Sequence, residues 1–545
     1  MQFDTILILG SGQIGKEVIR RLLAYKPKTV IVHNLRKQET DASVEYLEKF
    51  NKGTSFIKSY GDAFMPYNLN KCDTTAEKLA HKDELLEFFY SDLSEDVLKQ
   101  STLYNLVSLY KPDAIIDAMN SGTTLGSHFD PDAIKHAVSQ KDRLGTAFVT
   151  HLLNDFAPKA INFVLSLKLA MEDFKVKKFL KVSTTGLGGM GMNMPYTHGD
   201  TPKSSLSYAL MGKISASGTL HQLLWRLASD VDLDISLIIP STYVGYDSAM
   251  FEPIETDMGL IKKFDKFESK ELRLGEKLSY AAGDISDEYL TFPVVRAGEN
   301  HVYSLYELDA LTAIGQMEAI TKEEVANTVI EDLFGKRRRN MLYEMDKASL
   351  GPTYAGHAMA EHSKDELKTL MEANHVNSIA TGNLGATTAK YLYELYLIKT
   401  VCPTVDVLRN TSVSDIYSSI CEYLKENNSD IVTEMVSLGL PVVTSSNNVY
   451  IGKYTLYPSS KDDQVVTDEN LETWIRTAWV DIRETSIEKW RDIIIQSYED
   501  ASKFSSDVTM KLNRDINAIT NDYNIGQILA YHLNMHEKGR KRSEV

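Results

Sequence analysis

One hexapeptide constrains this chain more than any other feature: Gly10-Ser11-Gly12-Gln13-Ile14-Gly15. It follows directly on the short apolar run at residues 5–9 and opens an amphipathic stretch at residues 14–23. A continuous apolar run of that length reads as a parallel strand buried on both faces. A G-x-G-x-x-G set between such a strand and a helix gives each glycine a separate task. The first permits a tight turn, the second lets the backbone reach a pyrophosphate, and the third lets the helix pack against the strand. The helix N-terminus adds unpaired N–H groups and the positive end of its dipole. Gly10, Ser11, Gly12, Gln13, Ile14 and Gly15 are therefore expected to form the phosphate-binding loop of a nicotinamide dinucleotide site.

The pattern downstream repeats strand and helix. Residues 29–33, 87–90, 114–118, 178–182 and 234–239 read as strands two to six, the last ended by Pro240. Residues 160–174 and 208–228 read as helices, and residues 44–82 as an elaboration of the second unit. This alternation predicts an α/β fold with a Rossmann-type doubly wound parallel sheet. From about residue 251 the pattern changes to short strands at 290–306, turning at 298–300, and a helix at 308–319. Beyond 336 helices dominate, at 364–373, 386–398, 414–426 and 471–501, with a hairpin near 442–456. The expected organisation is an NAD(P)-binding Rossmann domain at 1–250 and a small α+β substrate-binding subdomain at 251–335. A mainly helical C-terminal module without a chemical motif follows at 336–545.

Which dinucleotide fits is decided at the end of strand two. Enzymes that use NAD place a carboxylate there for the ribose 2′-hydroxyl. This chain has His33-Asn34-Leu35-Arg36-Lys37, with no acid. Arg36 can pair bidentately with a 2′-phosphate that a carboxylate would repel, so Asn34, Arg36 and Lys37 point to NADP, with NAD as the alternative. Asp92 and Leu93, after the third expected strand, are placed to accept from the adenine amino group. Asn120, Ser121 and Gly122, after the fourth, leave room for the nicotinamide ribose.

Composition narrows the partners. Lys and Arg total 59 against 75 Asp and Glu, a formal charge of −16, which repels nucleic acid phosphates. The basic runs at 336–339 and 538–542 read as solvated segments. No stretch approaches the roughly 18 apolar residues of a membrane span. The run at 5–9 ends in glycine and lacks a basic n-region, so it reads as a strand and not a secretory leader. Cys72, Cys402 and Cys421 make no CxxC pair, so a reducing, cytoplasmic setting is expected, with no metal site.

Over roughly residues 1–320 the chain resembles the short-chain dehydrogenase/reductase family, most closely its extended and atypical branches. The resemblance rests on the glycine loop, Asp92-Leu93, Asn120-Ser121-Gly122, Val182-Ser183-Thr184-Thr185, the Tyr208 helix with Lys213, Ile239-Pro240-Ser241-Thr242, and the segment 294–309. It implies that Ser183 or Thr184 holds the substrate oxygen. It implies that Tyr208 moves a proton at that oxygen, while Lys213 binds the ribose and lowers the tyrosine pKa. Pro240 and Thr242 would join the cofactor contacts, and a homodimer would be the assembly. The family's tyrosine and lysine stand four apart; here they stand five apart, about 140° around a regular helix against about 40°. A bulge at Gly212, or a helix that begins after Tyr208, would bring them together. The loop at 191–207, with Tyr196, His198 and Asp200, lies where an active-site loop is expected. Three function classes follow: an NADP-dependent oxidoreductase acting on a carbonyl or hydroxyl of a small molecule, a nucleotide-sugar epimerase or dehydratase that holds nicotinamide as a hydride store, and a non-catalytic cofactor sensor or scaffold.

Overall fold

The computed structural model describes residues 3–72, 74–120, 125, 144–182, 205–230, 232–238, 243–256, 259–264, 267–282, 285–297, 301–314, 320–335, 354–426, 428–445, 448–458, 463–503 and 519–537. The chain forms two units. The first takes in residues 1–188, 201–245 and 319–356; the second takes in 189–200, 246–318 and 357–545.

Six strands carry the first unit: β1 (Thr5–Leu9), β2 (Thr29–Asn34), β3 (Ser55–Tyr60), β4 (Ala114–Asp117), β5 (Lys178–Val182) and β6 (Ile235–Ile238). Their spatial order is β3-β2-β1-β4-β5-β6, and every pairing is parallel. This is the doubly wound order, in which the chain turns back at β1 and β4 and opens a crevice at the carboxyl ends of those strands. The two-residue period of a strand sends alternate side chains to opposite faces. Leu7, Leu9, Ile31, Ile115 and Phe179 pack with the helices Thr102–Tyr110, Phe156–Phe174 and Ser205–Ala228. Ile6, Ile8, Val30, Val32, Ile116 and Leu180 pack on the other face with α1 (Gln13–Leu22), α2 (Lys37–Glu48) and the Lys322–Leu333 helix.

One expectation is corrected. Residues 87–90 are not strand three; they end the helix Lys82–Tyr90. Leu85, Phe88 and Phe89 recur at helical spacing and are buried with Met65, Leu69 and Leu153. The third strand is Ser55–Tyr60, inside the segment read as an elaboration. The first unit is discontinuous in sequence. The chain leaves it after Gly245 and returns to it at 319. There Ile320–Thr321 pairs with Tyr243–Val244, and Thr321 and Glu324 form a capping box that starts the Lys322–Leu333 helix. Val325, Ala326, Val329, Ile330 and Leu333 then bury against the α1 face of the sheet, so this helix completes the Rossmann core.

The second unit joins what was expected to be a substrate subdomain and a helical module. Tyr246–Pro253, Thr291–Ala297 and His301–Tyr303 form an antiparallel sheet. A second, four-stranded sheet combines Glu268–Glu271, Asn448–Ile451, Val442–Val443 and Val480–Asp481. The last of these interrupts the helix expected over 471–501, which is instead Asp468–Thr477 and Glu484–Lys503. The Leu305–Ala313 helix packs on Ile525–Met535, where a Cβ on Gly526 would lie 2.6 Å from the Tyr306 carbonyl oxygen. Ala386–Val401 is buried over most of its circumference.

Candidate cofactor site

The glycine loop lies where β1 meets β2 and β4. Gly10 has a φ of +83° and donates its N–H to the His33 carbonyl at 2.8 Å. A Cβ on Gly10 would stand 2.9 Å from the Met119 nitrogen, and one on Gly15 would stand 2.1 Å from the Gly10 carbonyl oxygen. Both glycines are therefore fixed by close backbone approach. Gly12 differs: among the described residues a Cβ there would meet nothing within 4 Å. Gly12 is the N-cap of α1, no side chain caps this helix, and its first turn carries no acid. An uncapped helix start with no acid in its first turn suits a pyrophosphate. Around it Ser11 is buried, Ile14 joins the core, and the Gln13 Oε1 lies 2.7 Å from where a Cβ on Gly245 would sit.

Asn34 ends β2 and is turned inward to the loop. Its Oδ1 accepts from the Ser11 N–H at 2.7 Å, and its Nδ2 donates to the Ser11 Oγ at 2.7 Å and to the Thr40 Oγ1 at 3.2 Å. Ser43 closes the same knot through its Oγ, which donates to the Ser11 carbonyl at 3.2 Å. Arg36 is the N-cap of α2 and Lys37 its first residue, both exposed. The first turn of α2 also holds Glu39, so two cations and a helix N-terminus outweigh one carboxylate there. Beneath them His33 is kept neutral, its pKa pushed down to about 4 by burial.

Asp92 and Leu93 do not follow a strand, which corrects the basis on which they were placed at the adenine. The residues after β3 are Gly61 and Asp62. The Gly61 N–H donates to the Asn34 carbonyl at 2.9 Å, and buried Asp62 accepts from the Phe64 N–H at 2.9 Å. The local signal for this strand is faint: Phe56, Ile57 and Tyr60 among polar residues, followed by a glycine.

At the ends of β4 and β5 stands a pair that sequence reasoning passed over. Asp117 and Lys181 are opposite in register, wholly buried, and 2.9 Å apart. Burial pushes the Asp117 carboxyl up and the Lys181 ammonium down, and each opposes the shift in the other. The Ser205–Ala228 helix covers this face with buried Ser217 and His221. The His221 pKa is pushed down to about 4, by burial first and then by the Lys181 charge.

Tyr208 and Lys213 both lie within the α-helix Ser205–Ala228, so Tyr208 does not precede the helix. Ser121, Gly122, Ser183, Thr184, Pro240 and Thr242 lie outside the described residues, as do Tyr196, His198 and Asp200. Asn120 is described, half-buried, just beyond β4. The structure thus brings Gly10–Gly15, Asn34, Arg36, Lys37 and Asn120 to one edge of the sheet. None of the helices among the described residues is long and apolar enough to cross a membrane.

The strand order and the glycine crossing define the class: a Rossmann-type α/β chain with a C-terminal extension. The family model described as Beta-methylindole-3-pyruvate reductase C-terminal domain matches residues 263–537, half of the chain, and the chain belongs to that family. No curated protein matches. Among solved structures, the chain is similar to a short chain dehydrogenase from Mycobacterium smegmatis, at 13% identity over 44% of this chain and 75% of that one, with a TM-score of 0.23. A short-chain dehydrogenase/reductase from Vibrio parahaemolyticus matches at 16% identity over 43% and 82%, TM-score 0.20. A short-chain dehydrogenase from Sphingobium yanoikuyae, solved in complex with NADPH, matches at 12% identity over 44% and 71%, TM-score 0.21.

Proposed function

We propose that this chain is an NADP-dependent oxidoreductase that reduces the keto group of a small 2-oxo acid carrying an aromatic ring, as the name of its family suggests. The observation that carries the reading is Gly12, open among the described residues at an uncapped helix start. In this reading the amides of Gly12 and Gln13 hold the pyrophosphate, and Asn34, which accepts from the Ser11 N–H, keeps Ser11 in place. Arg36 and Lys37 take the 2′-phosphate. Asn120 to Gly122, with Pro240 and Thr242, line the nicotinamide half. When bound, the reduced nicotinamide supplies a hydride to the carbonyl carbon. Ser183 or Thr184 holds the carbonyl oxygen, and the Tyr208 phenol gives that oxygen its proton. A phenol with a pKa of about 10 needs a neighbouring cation to act near neutrality, and Lys213, five residues on, supplies it only where the helix bulges between them. The homodimer that the resemblance implies belongs to the same proposal.

The test is a titration followed by turnover. NADPH should bind more tightly than NADH, and Arg36→Ala should remove most of the difference. NADPH absorbance should fall when an aryl-substituted 2-oxo acid is added, and Tyr208→Phe should abolish that fall while leaving NADPH binding intact. Failure to bind either dinucleotide sinks the reading. Binding without turnover on any 2-oxo acid or other carbonyl would leave a cofactor sensor, a reading favoured by the five-residue spacing within one continuous helix.

A further inference from the structure

The Asp117–Lys181 pair has no task in the chemistry above, yet it is the most deeply buried ion pair of the first unit's described residues, with both side chains fully enclosed. Stability alone does not account for it. Two charges taken out of water recover little more than their own desolvation, and an apolar pair of the same volume commonly serves as well. What the pair does enforce is the conformation of one peptide. Lys181 Nζ donates to Asp117 Oδ1 at 2.9 Å and to the Met119 carbonyl at 2.7 Å. Asp117 Oδ1 in turn accepts from the Met119 N–H at 3.0 Å. Residue 119 is thus held at both its N–H and its C=O.

That residue sits at a sensitive place. Its nitrogen is the backbone atom that a Cβ on Gly10 would strike at 2.9 Å. The Ala118 N–H before it donates to the Leu9 carbonyl at 2.8 Å. The clamp therefore runs from β5 through β4 to the turn that begins the glycine loop. It also fixes the direction in which the chain leaves β4 toward Asn120.

We propose that Lys181 and Asp117 are positioning residues for the cofactor: they lock the Met119 peptide, and with it the Asn120 segment that lines the nicotinamide half of the site. The proposal rests on the dinucleotide reading given above. It assigns to the pair a selective effect on one half of the ligand, which a structural ion pair would not have.

The decisive variant is the double substitution Asp117→Leu/Lys181→Met in the full chain. It removes both charges together, whereas Lys181→Met alone strands a buried carboxylate. The probes are NADPH and 2′,5′-ADP, the latter carrying the adenine half without nicotinamide. The expected result is an NADPH dissociation constant raised at least about tenfold, with that of 2′,5′-ADP unchanged within about twofold. The NADPH-induced rise in Tm should shrink in step. Wild-type affinity for both probes overturns the proposal. So does an equal loss for both, or failure of the double variant to fold, since either assigns the pair to general stability. If the wild-type chain itself binds neither probe, the dinucleotide reading has failed and the proposal falls with it.

Discussion

At the scale of single residues, the three glycines of the loop carry separable loads, and substitution should separate them. Gly15→Ala drives a methyl group into the Gly10 carbonyl, which a Cβ would approach to 2.1 Å. Since the obstacle is backbone, α1 must shift, and a loss of about 2–3 kcal/mol is expected in chemical denaturation. Gly12→Ala meets nothing among the described residues, so stability should change by no more than about 1 kcal/mol. Its methyl group would nonetheless stand where the pyrophosphate belongs, and NADPH affinity should fall at least about tenfold. Comparable losses of stability in the two variants would refute this division of labour. Asn34 shows how far residue-level reading reaches. Its lack of charge was legible and bears on cofactor choice. Its amide, however, is spent on Ser11 and Thr40, a tertiary arrangement that no local pattern announces. Asn34→Ala would leave the buried Ser11 N–H without an acceptor, at a cost of about 1–3 kcal/mol. It should also weaken NADPH binding through Ser11, which calorimetry on the folded variant would reveal.

At the scale of elements, legibility followed burial. β1, β2, β5 and the helix Phe156–Phe174 were readable because each is long or apolar enough for its period to stand out. The edge strand β3 was not. Its residues are half-exposed, so neither an apolar run nor a clean alternation marks them. The aromatic run Phe88-Phe89-Tyr90 imitated a strand in a window too short to reveal the helical spacing that begins at Leu85. Asp62 was lost with that strand. The Lys322–Leu333 helix was not read, and residues 246–318 of the second unit separate it from the rest of the Rossmann core. Its capping box, Thr321 with Glu324, is a local signature that could have marked its start. Thr321→Ala removes a hydrogen bond of 3.2 Å to the Glu324 N–H and should cost about 1 kcal/mol in thermal denaturation. A change below the precision of that measurement would mean that packing on α1 alone holds the helix.

At the scale of the whole molecule, the division into two units has a consequence in pH that composition does not disclose. In the first unit Lys159 is fully buried beside the Phe89 ring, and burial pushes its pKa from 10.5 down to about 7. Between those values the unfolded chain holds a proton that the folded one has released. Stability is therefore gained as pH rises from about 7 toward 10.5, lost as pH falls over the same range, and level below about 7. In the second unit Glu434 is half-buried and accepts from the Tyr393 hydroxyl at 2.5 Å. Burial raises its pKa from 4.5 to about 8. Here the folded chain keeps a proton that the unfolded one releases, so stability is full below 4.5 and lost as pH rises through 8. Each group is worth on the order of 4 kcal/mol across its window, and the two act in opposite directions. Three of the four tryptophans, Trp474, Trp479 and Trp490, belong to the second unit, so tryptophan fluorescence chiefly follows its unfolding. Glu434→Gln should flatten the fall in stability between pH 5 and 8 seen by that probe, whereas Lys159→Met should leave it alone and remove the loss of stability between pH 10.5 and 7 seen by NADPH binding. Should both variants alter both readouts alike, the two groups would be acting on a single cooperative transition and not on the unit that contains each.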